Sequence, residues 1–439
     1  MPGSLVGDVI VDQEEDIKVL IFTFGTRGDI EPFAALAERV AREGHTAVLA
    51  APEAYRSAVS EPAGFLPMAT EMDDVMRDGM ASMSGPSQAF TLARRMSAAM
   101  KKSLDEQWDA AQQVEPTVIV SHPKALGGLH VAERLGIPMV ASLPLPLLTP
   151  TAAFPAPFTA GSFPRSVNRA SYHLVRFSAL AYGGMINRLR REKLGLARMS
   201  RFSDYLHAPD GSRVPVLYPF SRHVVPVPAD YPASAHVTGY WFRDDPAAAH
   251  APSPQLQAFL AAGGPPIYVG FGSMGFGRGA GSRGRMVMEA VHEAGVRAVV
   301  STGWGALHAE STADVMVVDE VPHGWLFPRV AAVVHHGGSG TTAAGLRAGR
   351  PTLVCPVLGD QPFWGRRVHE LGAGPEPLPL RRASVGTLAA RIRLLVGDSG
   401  YAESASRIGE AIEQEDGTAR ALEVLLEIEA AHLSRRSTV

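Results

Sequence analysis

Residues 17–44 read IKVLIFTFGTRGDIEPFAALAERVAREG. A mostly apolar run, 17–24, breaks at Gly25 into the tight turn GTRGD. The stretch EPFAALAERVAREG then carries its apolar residues at helical spacing and stops at Gly44. Apolar strand, glycine turn and amphipathic helix in that order form the repeating unit of a parallel sheet covered by helices. Working outward, further strands are expected at 47–51, 117–121 and 138–143, with a helix between each pair. The pattern begins again at 267–271 and continues through 297–301, 315–318, 332–335 and 352–354. Two rounds of it predict an α/β chain with two parallel sheets.

A chain of 439 residues is long enough for two cores. The predicted division is a flexible N-terminal extension at 1–16, a first domain at 17–225, a linker at 226–253, a second domain at 254–400, and C-terminal helices at 401–439 that pack back toward the first domain. The linker rests on the proline and alanine content of that stretch. Lys+Arg 41 against Asp+Glu 44 leaves a net charge of -3 and no overall basic field for nucleic acid. The lone cysteine, Cys355, excludes an internal disulfide and a multi-cysteine zinc site and fits a reducing, cytoplasmic setting. The first sixteen residues lack the basic n-region of a signal peptide, and no run reaches the roughly 18 apolar residues of a membrane span. Residues 143–164, rich in Pro, Thr, Ala and Phe, read as a long apolar loop of the kind that carries function. Residues 165–201 read as helical and hold eight arginines and one lysine against one acid, Glu192. That stretch is either a solvated helix face or a face for peripheral contact with lipid or another anionic partner.

Four turns after strands carry unusual side chains, where open parallel sheets bind ligands. In the first, Asp29 falls where the helix begins; it is a helix cap or a general base aimed into a cleft. The second, GFGSMG at 270–275, matches G-x-G-x-x-G, but the next strand ends in Ser, Thr and Gly rather than in the acid a nicotinamide site requires. It still suits a loop whose backbone N–H groups approach a phosphate. The third, HHGGSGTT at 335–342, feeds two histidines and then hydroxyls into a helix start, which is a site for a diphosphate or a satisfied histidine pair with a capped helix. The fourth, GDQPFWG at 359–365, sets Asp360 and Gln361 side by side, offering a carboxylate and an amide to neighbouring hydroxyls or simply capping a helix.

The stretch from 335 to 380, HHGGSGTTAAGLRAGRPTLVCPVLGDQPFWGRRVHELGAGPEPLPL, resembles the donor-binding region of sterol 3-beta-glucosyltransferases and of bacterial glycosyltransferases that modify glycopeptide, macrolide and lipid natural products. GTRGDIEPFAAL, VTGYWF, FGSM and VPHGWLF agree with that group in order along nearly the whole chain. The resemblance implies the GT-B architecture: two Rossmann-like domains facing across a cleft, acceptor on the first and nucleotide sugar on the second. It implies an inverting reaction without a metal or other cofactor, UDP- or dTDP-sugar being the co-substrate. By the same resemblance Asp29 stands at the general base. Ser273, Met274, His335, Gly338, Ser339, Gly340 and Thr341 stand at the diphosphate, Asp360 and Gln361 at the sugar, and Val321 and His323 at the nucleoside. Glu320 replaces the tryptophan of the plant-type enzymes, which leaves the choice of uracil or thymine open. His122, where related enzymes hold an aspartate behind a histidine base, is a partner for Asp29 or a polar residue capping the loop before Pro123.

The expected function is transfer of a hexose from a UDP- or dTDP-sugar to a hydroxyl of a hydrophobic acceptor. A secondary-metabolite aglycone leads, and a sterol or glycolipid is second. The partners are the nucleotide sugar and the acceptor, with no nucleic acid, in a monomer or homodimer. A nicotinamide-dependent oxidoreductase and a non-catalytic sugar-nucleotide binder are the two rivals from other classes.

Overall fold

A computed structural model describes residues 16–68, 75, 86–159, 163–173, 182–200, 206–208, 211–243, 253–272, 280–303 and 307–437. The first domain is a seven-stranded parallel sheet of β1 (Lys18–Phe22), β2 (Thr46–Pro52), β3 (Gly64–Met68), β4 (Val118–Ser121), β5 (Met139–Ser142), β6 (Val216–Tyr218) and β7 (Ala235–Val237), in the order β3-β2-β1-β4-β5-β6-β7. The chain leaves β1 in one direction and later returns to its other edge as β4, with Phe22 paired to Ser121. A crevice therefore opens beyond the carboxyl ends of β1 and β4, where the strand order reverses. Four of the five β1 residues are buried, so the strand reads as a continuous apolar run rather than an alternating one. Helix α1 (Arg27–Arg42) buries Ile30, Phe33, Ala34, Ala37 and Val40 along one stripe against this sheet. It ends before Gly44, which takes φ +93.

Helices α2 (Pro86–Val114) and α3 (Gly128–Leu135) flank β4, and α4 (Arg165–Ser171) and α5 (Gly183–Glu192) follow the long loop after β5. The helix expected through 165–201 is thus divided, and 193–200 is not helical. Two of its arginines turn inward: Arg188 pairs with Asp105 at 2.9 Å, and buried Arg190 pairs with Glu133 beside His130. Arg165, Arg169, Arg191 and Arg198 are exposed. The stretch 226–253, expected to be a linker, instead carries β7, and Tyr240 and Trp241 beyond it are buried. Its prolines 226, 228 and 232 precede β7, and none lies within the strand.

The second domain opens with α6 (Pro254–Ala261) and holds a five-stranded parallel sheet, β10-β9-β8-β11-β12. Its strands are β8 (Ile267–Gly270), β9 (Ala298–Ser301), β10 (Val315–Val318), β11 (Ala332–His335) and β12 (Thr352–Val354). Here too the order reverses in mid-sheet, between β8 and β11, with Gly270 paired to His335. The covering helices are α7 (Ala280–Ala294), α8 (His323–Leu326), α9 (Ser339–Arg347), α10 (Gln361–Glu370) and α11 (Val385–Gly397). Of the C-terminal helices, α12 (Ser399–Glu413) stays on the second domain, its Ala405 and Ile412 sharing a core with Leu346 and Trp364. Only α13 (Gly417–Ser437) crosses over, packing Ala421, Val424 and Leu425 into the first core beside Ile30 and Phe33. Among the described residues no helix is long and apolar enough to cross a membrane.

Candidate active site

The two reversal points face each other. Gly28 in the first turn of α1 lies opposite Gly340 in the first turn of α9, close enough that a Cβ on Gly340 would sit 4.0 Å from the Gly28 Cα. Arg27 reaches across to Glu320 at 3.6 Å, and Arg367 of α10 donates to the Val224 carbonyl at 2.9 and 2.8 Å. The long apolar loop of the first domain meets α10 through Phe154 and Phe363, whose ring centres are 6.0 Å apart.

On the first-domain side the turn at 25–29 is built around one carboxylate. Asp29 Oδ2 accepts from the Thr26 backbone N–H at 2.8 Å, the Thr26 hydroxyl at 3.1 Å and the Lys124 ammonium at 2.7 Å. The first of these bonds is half of a capping box, so Asp29 does support the helix start. Gly25, at φ +125, leaves room for the arrangement, since a Cβ there would lie 2.3 Å from Asp29 Oδ2 and 2.6 Å from Lys124 Nζ. Asp29 Oδ1 makes no hydrogen bond among the described residues and lies 3.5 Å from His122 Nε2. The Asp29 side chain is 17% exposed and that of His122 1%, which puts the carboxylate toward the cleft and the imidazole behind it. Burial pushes the Asp29 carboxyl up, but the Lys124 and His122 charges and the bonds from Lys124 and Thr26 together hold it below the ordinary value. Burial lowers His122 to about 4 despite Asp29, so its ring is neutral near pH 7. Its Nδ1 accepts from the Lys124 backbone N–H at 3.1 Å, leaving the proton on Nε2, which faces Asp29.

The second-domain side is organised by β11 and the start of α9. His335, fully buried at the strand end, accepts from the Gly337 N–H through Nδ1 at 2.9 Å. Its proton therefore sits on Nε2, which is buried and has no partner among the described residues. Desolvation, with His336 and His323 adding to it, keeps the ring neutral far below its ordinary pKa. An orphaned buried N–H is costly and calls for an acceptor. Gly338 caps α9 in extended geometry, and the N–H groups of Ser339, Gly340 and Thr341 begin the helix without intrahelical acceptors. A diphosphate suits such a place. His336 is wedged between the two glycine turns: a Cβ on Gly272 or Gly338 would lie 2.8 or 2.6 Å from its ring. Ser273 and Met274 lie outside the described residues.

Asp360 and Gln361 open α10, but they behave differently from one another. Asp360 makes no side-chain cap; its Oδ2 accepts from the Trp364 indole at 2.8 Å. Burial, then the facing charge of Asp29, raises its carboxyl, while Trp364 and Lys124 oppose that rise. Gln361 turns inward, its Oε1 accepting from the Val357 and Leu358 backbone at 2.7 and 3.1 Å. Its carbonyl is thus spent on shaping the loop, and only Asp360 of the pair presents a carboxylate. His323 stacks on Phe327 at 4.4 Å and meets the Tyr268 hydroxyl at 3.5 Å, with Val321 buried beside it. Burial lowers His323 to about 3. The sequence reading missed Lys124 and the Trp364 contact of Asp360, and it gave His336 no role apart from His335. Lys124 had a signal, being one of only five lysines among 41 basic residues and two places after His122.

Known protein families match both halves of the chain. The glycosyltransferase family 28 N-terminal domain matches residues 19–154, and the erythromycin biosynthesis protein CIII-like C-terminal domain matches 286–425. A sterol 3-beta-glucosyltransferase of Arabidopsis thaliana, UGT80B1, is 35% identical over 428 residues, which is 93% of this chain and 67% of that protein. The chain belongs to the sterol 3-beta-glucosyltransferase family of glycosyltransferases. It spans 64% of a second Arabidopsis member, UGT80A2, at 35% identity, and 27% of a member from Cryptococcus neoformans at 33%. Solved bacterial glycosyltransferases share the GT-B fold of this glycosyltransferase at lower identity. The kitacinnamycin enzyme has a TM-score of 0.68 at 17% identity, covering 93% of this chain and 98% of its own. SnogD of Streptomyces nogalater has 0.60 at 22%, covering 94% and 99%.

Proposed function

We propose that this glycosyltransferase moves a hexose from a UDP- or dTDP-sugar to a hydroxyl of a hydrophobic acceptor, with inversion. One observation carries the reading: a partly exposed carboxylate, Asp29, stands at the first-domain reversal point, and a buried donor without a partner among the described residues, His335 Nε2, stands at the second-domain one, where Gly28 and Gly340 approach each other. The acceptor lies against the first domain beside the apolar loop, and the nucleotide sugar lies in the second domain. Asp29 takes the hydroxyl proton as that oxygen bonds to the anomeric carbon. The bond from that carbon to the diphosphate oxygen breaks on the opposite face, and its electron pair leaves with the diphosphate. His335 Nε2–H and the first N–H groups of α9, with the loop holding Ser273 and Met274, receive the growing negative charge. Asp360 holds sugar hydroxyls, and Val321 and His323 border the nucleoside.

VinC, a glycosyltransferase solved with dTDP, shares the fold at 17% identity with a TM-score of 0.63, while the named Arabidopsis relatives act on sterols. Both acceptor classes therefore belong in the test. In a cytoplasmic enzyme the exposed arginines 165, 169, 191 and 198 are the groups that would meet an anionic membrane holding a lipid acceptor. Purified protein is incubated with UDP-glucose or dTDP-glucose and either cholesterol or a macrolide aglycone, and both nucleotide release and conjugate mass are read. A conjugate with either acceptor supports the reading. Thermal protection by NADH but by neither UDP nor dTDP would overturn it.

A further inference from the structure

We propose that Lys124 is the positioning residue of this site, its ammonium holding the Asp29 carboxylate charged and turned so that Oδ1 alone is free for the acceptor proton. The inference rests on the reading of Asp29 as the base and adds a residue to it. Three donors crowd Oδ2, and Lys124 Nζ, at 2.7 Å, is the nearest. The other two come from Thr26 and belong to the helix start, so they would be present in any capped helix. Lys124 comes from another element altogether, the turn after β4. The same residue also sets the second partner of Asp29. Its backbone N–H, bonded to His122 Nδ1 at 3.1 Å, leaves the imidazole proton on Nε2, 3.5 Å from Oδ1. One residue thus orders both sides of the carboxylate, through its side chain on Oδ2 and its main chain on His122.

The charges around Asp29 explain why a cation is needed. On its own helix Arg27 is drawn off to Glu31 and Glu320. From the β4 turn come neutral His122 and Lys124. From the start of α10 comes Asp360, whose carboxyl the Asp29 charge helps to raise after burial. Lys124 is the only cation among the described residues in direct contact with Asp29. Its side chain is 46% exposed, so it occupies the cleft rather than the core. Lysine suits the position because a compact ammonium meets one oxygen, whereas a guanidinium fork would seek both.

The test compares wild type, Lys124→Met and Lys124→Arg. Lys124→Met keeps the backbone N–H on His122 and removes only the ammonium. The Asp29 carboxylate is titrated by infrared difference spectroscopy, with Asp29→Asn assigning its band, and each variant's fold is checked by melting. The midpoint should rise by about 1–3 pH units in Lys124→Met, the range set by loss of an opposite charge within a few ångströms. Lys124→Arg should keep it near the wild-type value. In parallel, the acid limb of kcat for transfer from UDP-glucose to cholesterol should move up with it, with the KM for UDP-glucose little changed. A folded Lys124→Met whose Asp29 midpoint stays at the wild-type value overturns the role of Lys124. If no sugar is transferred by wild type, the spectroscopic result still decides the proposal, and the failure falls on the proposed reaction instead.

Discussion

Asp29 carries two loads, one from the start of α1 and one from the cleft, and a single substitution separates them. Asn at 29 can still accept from the Thr26 N–H, so α1 should form, yet it cannot take a proton at neutral pH. Asp29→Asn should therefore bind UDP or dTDP as wild type does while turnover falls by roughly 100-fold or more, the scale of general-base loss. Retained turnover in steady-state assays would remove Asp29 from the reaction. His335 differs in kind, being a neutral donor with no partner among the described residues. His335→Ala should weaken free UDP or dTDP by about 1.5–3 kcal/mol, the worth of a hydrogen bond to a charged group. Calorimetry with both nucleotides checks this. Asp360→Ala should leave nucleotide affinity within about 0.5 kcal/mol. Transfer should nevertheless collapse, and the loss should depend on the donor sugar. Since its carboxylate bonds the Trp364 indole rather than a helix N–H, the variant should not melt as an uncapped helix would.

At the scale of elements, the link between β11 and α9 depends on a glycine. Gly337 takes φ +95, and a Cβ there would lie 2.6 Å from Val354 Cγ1 and 3.1 Å from the Gln361 Cβ. Its N–H also fixes the His335 tautomer. Gly337→Ala should therefore destabilise the fold by about 1–3 kcal/mol, the cost of a strained backbone at a site. The same change should reduce nucleotide affinity, because the turn that aims His335 shifts with it. Gly386, inside α11 with nothing within 4 Å of an added Cβ, is the contrast. Alanine there should stabilise by about 0.5–1 kcal/mol, the gain for replacing glycine within a helix. Urea unfolding of the two variants beside wild type measures both effects, and similar shifts for both would show that the turn bears no special load.

Across the whole molecule, buried histidines make the fold acid-sensitive. Burial lowers His122 to about 4 and His130 to about 3, and holds His335 well below its ordinary 6.5. The unfolded chain releases these side chains to titrate near 6.5, so between that pH and their folded values it binds more protons than the native state. Stability contributed by the neutral rings is thus complete above about pH 6.5 and is lost as the pH falls toward 4. Asp29, held below its ordinary value, acts in the same direction at lower pH. Each tenfold difference in proton affinity is worth about 1.4 kcal/mol per group, so the melting temperature should drop steeply from pH 7 to pH 5. Thermal melts in matched ionic strength would expose the opposite case, a flat profile over that range.

The parallel sheets, the strands that end at the site, and the turns at 29, 335 and 360 were all legible in the sequence. Continuous apolar runs can be satisfied only inside a covered sheet, and glycine turns after them can only be places where the backbone bends sharply. The resemblance to glycosyltransferases was legible for the same local reason, because its motifs are runs of neighbouring residues. Strands β3, β6 and β7 were not. Gly64–Met68 contains a proline, and Val216–Tyr218 and Ala235–Val237 are three residues each, too short for periodicity to register, so that pairing alone defines them. Tertiary structure alone placed Lys124 on Asp29, 95 residues away, and turned the Gln361 carbonyl into its own loop and the Asp360 carboxylate onto the Trp364 indole. It also left His335 Nε2 without a partner among the described residues. Sequence neighbours constrain the backbone they share. Charge pairing, burial and the direction of a proton depend on what folding brings alongside, and here that is the meeting of two sheets at their points of reversal.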